Sequence, residues 1–185
     1  EARPKSGTRA APATSWNLLD PDVLRWSFSA GANEKFIRDL YELRLFIEPN
    51  AVRLAAERRS PEQALAIRSA FEGMAASAPY SAENIRFDVL FHDHLLDACG
   101  NHAIRCLRSV VMTTLMWSLQ LQVGKTSEDY SPALSDHRRV CEAIEAQEGA
   151  LAESYMRALV HEALVDTLRK FRARAESASY RSAAE

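Results

Sequence analysis

The chain has 185 residues, 47% of them hydrophobic and 26% charged, with a formal net charge of −2. That is enough chain to bury one sizeable core, with the composition of a globular rather than a disordered protein. The balance lacks the basic surplus of a nucleic-acid-binding domain, and no apolar run approaches the roughly 18 residues of a membrane span.

Residues 1–19, "EARPKSGTRAAPATSWNLL", show no sustained period and read as a linker or the edge of another domain. The first methionine is Met74, so the chain is expected to begin inside a longer one. From residue 20 onward helix punctuation recurs and strand alternation does not. Asp20-Pro21 caps and opens a short helix through Ser29, which ends near Gly31. Asn33 caps a long helix from Glu34 to about Arg58, with a kink or break expected at Pro49. "SPEQ", Ser60 to Gln63, combines a capping box with Pro at the first position and opens a third helix to about Ser77. Ser81 caps a fourth, which Gly100 ends in the left-handed conformation. Asn101 starts a fifth, to about Val123, and Ser131-Pro132 a sixth, to about Gln147. After a turn at Glu148-Gly149 the last helix runs to about Arg174, and residues 176–185, "ESASYRSAAE", are expected to fray. The fold predicted is all-α, an antiparallel bundle of about six to seven helices occupying residues 20–175. Cys99, Cys106 and Cys141 are odd in number and form no C-x-x-C pair, which points to reduced thiols in a cytoplasmic protein.

The chemistry concentrates in "FDVLFHDHLLDACGN", residues 87–101, which holds two histidines and three aspartates. At 100° per residue, Asp93, His94 and Asp97 fall on the polar face, while Asp88 and His92 fall inside the apolar stripe of Ile85, Phe91, Leu95 and Cys99. A carboxylate and an imidazole in a core are unfavourable unless they are paired or bound to a cation. His137 is centred among Leu134, Val140, Cys141 and Ile144, and His161 among Leu164, Val165 and Leu168. His94 and His102 fail the same test. Each inward histidine alone fits a satisfied core residue. Asp88, His92, His137 and His161 together are satisfied at once by one divalent metal ion per chain, zinc first, with nickel, manganese, cobalt or iron also suiting the donors.

Arg44 and Glu48 also lie inside an apolar stripe, one whose alanines leave room beside a long side chain. They read either as a buried ion pair that orders helices, or as a guanidinium fork open to a carboxylate with Glu48 orienting it or receiving hydroxyls. Thr113, Thr114 and Trp117 share a face of the fifth helix with Cys106, Val110 and Leu121. They either line a polar cavity or pack as core.

The order of "ELRLFIEPNAVRLAA", "FDVLFHDHLLDACGN", "LSDHRRVCEAI" and a final histidine resembles the FCD domain, the ligand-binding half of FadR-subfamily GntR transcriptional regulators, over about residues 20–175. The resemblance implies a central metal and effector cavity, with metal ligands at Asp88, His92, His137 and His161 and an effector-contacting arginine at Arg44. It also implies a homodimer, and a winged helix-turn-helix ahead of the domain, whose last strand "PKSGTRAA", residues 4–11, resembles. Operator DNA would then be read only by that N-terminal domain, absent from this chain. "SWNLLDPDVLRW" is similar to the start of regulators that answer to sugar acids such as galactonate. The function expected is therefore effector binding and dimerisation, without catalysis. A sugar acid or other 2-hydroxy acid would be sensed through the metal and Arg44, with Glu48, Thr113 and Trp117 as further contacts. Two other readings stay open: a metal-dependent hydrolase of helical-bundle fold, since an open metal position activates water, and a structural module in which the metal is a staple.

Overall fold

The computed structural model describes residues 2–3, 7–8, 12, 15–123 and 127–183, with side chains described for 12, 15–123 and 130–177. Strands β1 (Ala2–Arg3) and β2 (Gly7–Thr8) form a small antiparallel pair in the register Ala2 with Thr8 and Arg3 with Gly7. The remainder of the strand expected at 4–11 lies outside the described residues. Among the described residues eight helices follow: α1 (Pro21–Ser29), α2 (Glu34–Arg58), α3 (Pro61–Ala76), α4 (Ala82–Ala98), α5 (His102–Cys106), α6 (Arg108–Gln122), α7 (Ser127–Glu145) and α8 (Gly149–Ala183). None among the described residues is long and apolar enough to cross a membrane.

Local chemistry sets most starts. The Asp20 carboxylate accepts from the backbone of Asp22 and Val23, and Asn33 accepts from Phe36. Ser60 and Gln63 close the expected capping box, Ser81 accepts from Asn84, and Asn101 accepts from Ala103 and Ile104. Each satisfies donors that a helix's first turn leaves open. Gly100 ends α4 with φ +64°, where a side chain would strain the backbone.

Three boundaries differ from expectation. Of the kink or break expected at Pro49, the break is not found: α2 runs on through it; Pro49 is buried, and the packing of α2 on α8 outweighs one missing hydrogen bond. The predicted fifth helix is two, because Leu107 turns between α5 and α6 with its N–H on Ile104 O at 2.9 Å. No glycine or proline marks that turn; Ile104 and Leu107 instead pack against the cluster of Leu96, Cys99 and Val111. α7 begins at Ser127, four residues before the proposed Ser131 start, with Pro132 inside it. α8 continues to Ala183, nine residues past the expected end at about Arg174.

The core forms where α2 packs on α8, α3 on α4 and α7 on α8. Tyr41, Val52, Ala55, Phe91, Val140, Ile144, Met156 and Val160 are fully enclosed there. Gly73 lets α3 and α4 approach closely, since the Phe87 ring occupies the space a Cβ would need. A smaller cluster of Leu24, Leu40 and Val110 pins α1 across α2 and α6. Between α2, α4, α6, α7 and α8 the packing leaves a pocket of about 370 Å³.

Candidate metal centre

α4 carries Asp88 and His92 one turn apart on its inward face, 4% and 1% exposed. α7 brings His137 to them, 4% exposed. Asp88 Oδ1 stands 3.6 Å from His92 Nε2 and 3.8 Å from His137 Nε2. These separations are too long for hydrogen bonds. All three atoms are buried, and none has a hydrogen-bond partner among the described residues.

Three unsatisfied buried donors aimed at one point are unfavourable without a cation and natural around one. Donors about 2.1 Å from a shared ion stand about 3.0 to 3.4 Å apart. The two separations to Asp88 Oδ1 therefore fit after a contraction of a few tenths of an ångström, and all three atoms lie within 4.8 Å of one another. The outer nitrogens agree. His137 Nδ1 donates to Ala133 O at 2.7 Å, and His92 Nδ1 donates to Glu48 Oε2 at 2.5 Å. Both rings are thus turned with Nε2 toward the cluster, as metal-binding imidazoles are.

Beside this cluster α2 places Arg44 and Glu48, 1% and 2% exposed. Arg44 Nε donates to Glu48 Oε1 at 2.5 Å, and the guanidinium carbon lies 5.0 Å from the centre of the Tyr41 ring. Arg44 Nη1 has no partner among the described residues. Arg44, Asp88, His92 and His137 all line the 370 Å³ pocket, together with Tyr41, Ser118, Gln122, Tyr130 and Thr167. A bond of 2.8 Å between the Tyr41 hydroxyl and Thr167 Oγ1 ties α2 to α8 at its wall.

Burial alone would raise the Glu48 carboxyl, but the Arg44 guanidinium, then His92, outweigh it and hold it down at about 2. Asp88 behaves alike: burial pushes it up, and His137, His92 and Arg44 bring it below the ordinary carboxylate value. Burial pushes His137 down, and the Asp88 carboxylate more than reverses this. Both carboxylates are therefore anions at neutral pH, the state a cation or a guanidinium requires.

Three proposed site residues lie elsewhere. His161 is on the surface, its side chain 62% exposed and its Nδ1 3.7 Å from Glu162 Oε1. Its apolar stripe is wider than the buried face of α8: Val165, counted among its core neighbours, is 48% exposed. The inward face runs through Met156, Leu159, Val160 and Thr167 instead. Thr113 and Trp117 line a different groove, with Phe28, Met112 and Met116. α1 covers that side of α6, and the Trp117 ring stacks on Phe28 with centroids 4.3 Å apart. The pocket sees the other side of α6, through Leu115, Ser118, Leu119 and Gln122. α6 is apolar nearly all round, so a helical wheel could not choose its inner face. Ser118 and Gln122, polar and one turn apart, were the sign that was missed; Gln122 is 6% exposed, and its Oε1 has no partner among the described residues.

The pattern of the FCD domain matches residues 39–162, about two thirds of the chain. The galactonate operon transcriptional repressor of Escherichia coli (strain K12) is 29% identical over 148 residues, covering 80% of this chain. The chain spans 64% of that repressor's length. Among solved structures, GntR of Streptococcus agalactiae superimposes with a TM-score of 0.61 at 23% identity, covering 89% of this chain and 73% of that one. A GntR-family transcriptional regulator from Pseudomonas syringae pv. tomato str. DC3000 gives 0.67 at 15% identity, covering 84% and 71%. These two likenesses are of fold. With the family pattern running from α2 into α8 across every helix that lines the pocket, the chain belongs to the FCD domain family.

Proposed function

We propose that this domain is the effector-binding and dimerisation part of a GntR-type transcriptional regulator that senses a sugar acid. DNA reading then belongs to a winged helix-turn-helix outside residues 1–185. The observation that carries the reading is the convergence of Asp88 Oδ1, His92 Nε2 and His137 Nε2, buried and without partners among the described residues, in the pocket that also holds Arg44, whose Nη1 likewise has none there. Asp88, His92 and His137 would hold one divalent first-row ion, zinc first. Bound there, the ion supplies positive charge and open coordination positions for one carboxylate oxygen and a neighbouring 2-hydroxyl of the effector.

The chain's own residues do the rest. Arg44 Nη1 donates to the second carboxylate oxygen. Gln122 Oε1 accepts a hydroxyl. Asp136, Glu162 and Asp166 line the outer part of the pocket with Arg169, so the tail of the effector meets more negatively charged acceptors than positively charged donors. That suits a hydroxylated tail and opposes a second carboxylate. The name of the Escherichia coli relative, a galactonate operon repressor, points to the same class of compound. Effector binding would bias the placement of the DNA-binding domains in the homodimer. Hydrolysis fits less well: Glu48 spends both oxygens on Arg44 and His92, which leaves it unfit as a general base.

The test is metal analysis of the native protein, followed by calorimetry of the metal-loaded form with galactonate, gluconate, lactate and neutral galactose. We expect about one ion per chain, lost in His137→Ala, with the acids binding and galactose not. In protein kept saturated with the ion, Arg44→Ala should weaken acid binding by about one to two orders of magnitude. Galactose binding as tightly as galactonate, or full metal occupancy in His137→Ala, would overturn the reading.

A further inference from the structure

We propose that Glu48 is a positioning residue for the metal centre: it fixes His92 in the tautomer whose bare Nε2 faces the metal, and Arg44 holds it in place for that task. The proposal rests on the metal assignment above, but the tautomer it requires exists with or without an ion.

The two imidazoles of the centre are oriented by different means. His137 donates Nδ1–H to Ala133 O, a backbone carbonyl one turn back on its own helix, so α7 aims that ring by itself. His92 has no such support from α4. Its Nδ1 lies 2.5 Å from Glu48 Oε2, on another helix and 44 residues away in sequence. An ionised carboxylate only accepts hydrogen bonds, so Nδ1 keeps its proton, and once the ring is neutral the lone pair is on Nε2. Nε2 is the atom 3.6 Å from Asp88 Oδ1 with no hydrogen-bond partner among the described residues. A carboxylate behind a metal-binding imidazole also raises the basicity of the ligand nitrogen.

Glu48 has to stay ionised in a dry core to act in this way. The Arg44 guanidinium secures that, one turn earlier on α2, through Nε to Oε1 at 2.5 Å and, more weakly, Nη2 to Oε2 at 3.5 Å. The edge of the guanidinium that Glu48 takes is not the edge left facing the pocket. Glutamine at 48 keeps the size and removes the second acceptor. If its oxygen serves Arg44 Nε, its amide N–H2 points at His92 Nδ1 and favours the tautomer with the proton on Nε2, against the metal. If its oxygen serves His92, the amide opposes Arg44 donor to donor. Either way the arrangement loses one partner.

The experiment compares wild type with Glu48→Gln in two measurements. The first is zinc affinity by competition with a chelator. The second is nitrogen-15 NMR of the imidazoles in metal-free protein, at a pH high enough that the rings are neutral. Expected are zinc binding weakened about 10- to 100-fold in Glu48→Gln, His92 carrying its proton on Nδ1 in wild type and losing that preference in the variant, and the His137 tautomer the same in both. A purely structural role would disturb both rings together. A folded Glu48→Gln with wild-type zinc affinity overturns the proposal, and so does a wild-type His92 whose neutral ring carries its proton on Nε2. The wild-type spectrum decides the matter even where the variant fails to fold. Absence of zinc binding in wild type counts against the metal assignment, while the tautomers still decide the role of Glu48.

Discussion

α2 carries the same short motif twice. Arg44 and Glu48 are four residues apart and form an ion pair; Arg53 and Glu57 do the same, nine positions later on the same helix. The first pair is 1% and 2% exposed with atoms at 2.5 Å, the second 41% and 45% exposed at 3.2 Å. In sequence both are helix-stabilising pairs of a few tenths of a kcal/mol. In the fold the outer pair stays on the surface, where Arg53 also reaches Glu153 of α8 at 3.4 Å, while the inner one is wired to His92 and borders the pocket. Pairing is thus no guide to function here. What separates the two is solvent: water screens and replaces partners for one pair and is excluded from the other.

The largest expected effect breaks the two pairs in turn. Arg44→Ala leaves Glu48 charged in the core with His92 as its remaining partner, and should destabilise the metal-free protein by about 3–5 kcal/mol. Arg53→Ala should change stability by less than about 1 kcal/mol. Urea unfolding of the two variants measures both, and equal losses would erase the distinction.

Acid sharpens the same comparison. The folded-state carboxyl of Glu48 sits near 2, below its ordinary 4.5. Its stabilisation is therefore complete above about 4.5 and is lost as pH falls through about 2. Unfolding free energies of metal-free wild type and Glu48→Gln should converge as pH is lowered across that window. Curves that stay parallel from pH 5 to pH 2 (about the span set by this shift) would show that Glu48 is not held ionised by its neighbours.

The smallest expected effect concerns His161. With its side chain 62% exposed and outside the cluster, His161→Ala should leave both metal affinity and the unfolding midpoint where they are. A lost metal in this variant would return His161 to the ligand set.

Much of the centre was legible in advance. Asp88, His92 and His137 were singled out because charge or a ring nitrogen inside an apolar stripe needs a partner, and the three do meet. Arg44 and Glu48 were found by the same reasoning. It failed at His161 because α8 is apolar over a wider arc than it buries, and at Thr113 and Trp117 because α6 offers apolar residues on every side. A wheel reports where polarity changes around a helix; where it hardly changes, the wheel has no direction to give.

The sequence by itself determined the all-helical class, most of the helix starts and three residues of the candidate metal centre, because caps, proline positions and polarity within a stripe are local and act over one or two turns. Only the tertiary structure decided that α2 stays whole across Pro49, that Leu107 turns, that α1 covers one side of α6 and the pocket the other, and that Glu48 reaches His92. Those outcomes depend on which helix lies against which, and packing between segments far apart in the chain leaves no periodic trace in either one.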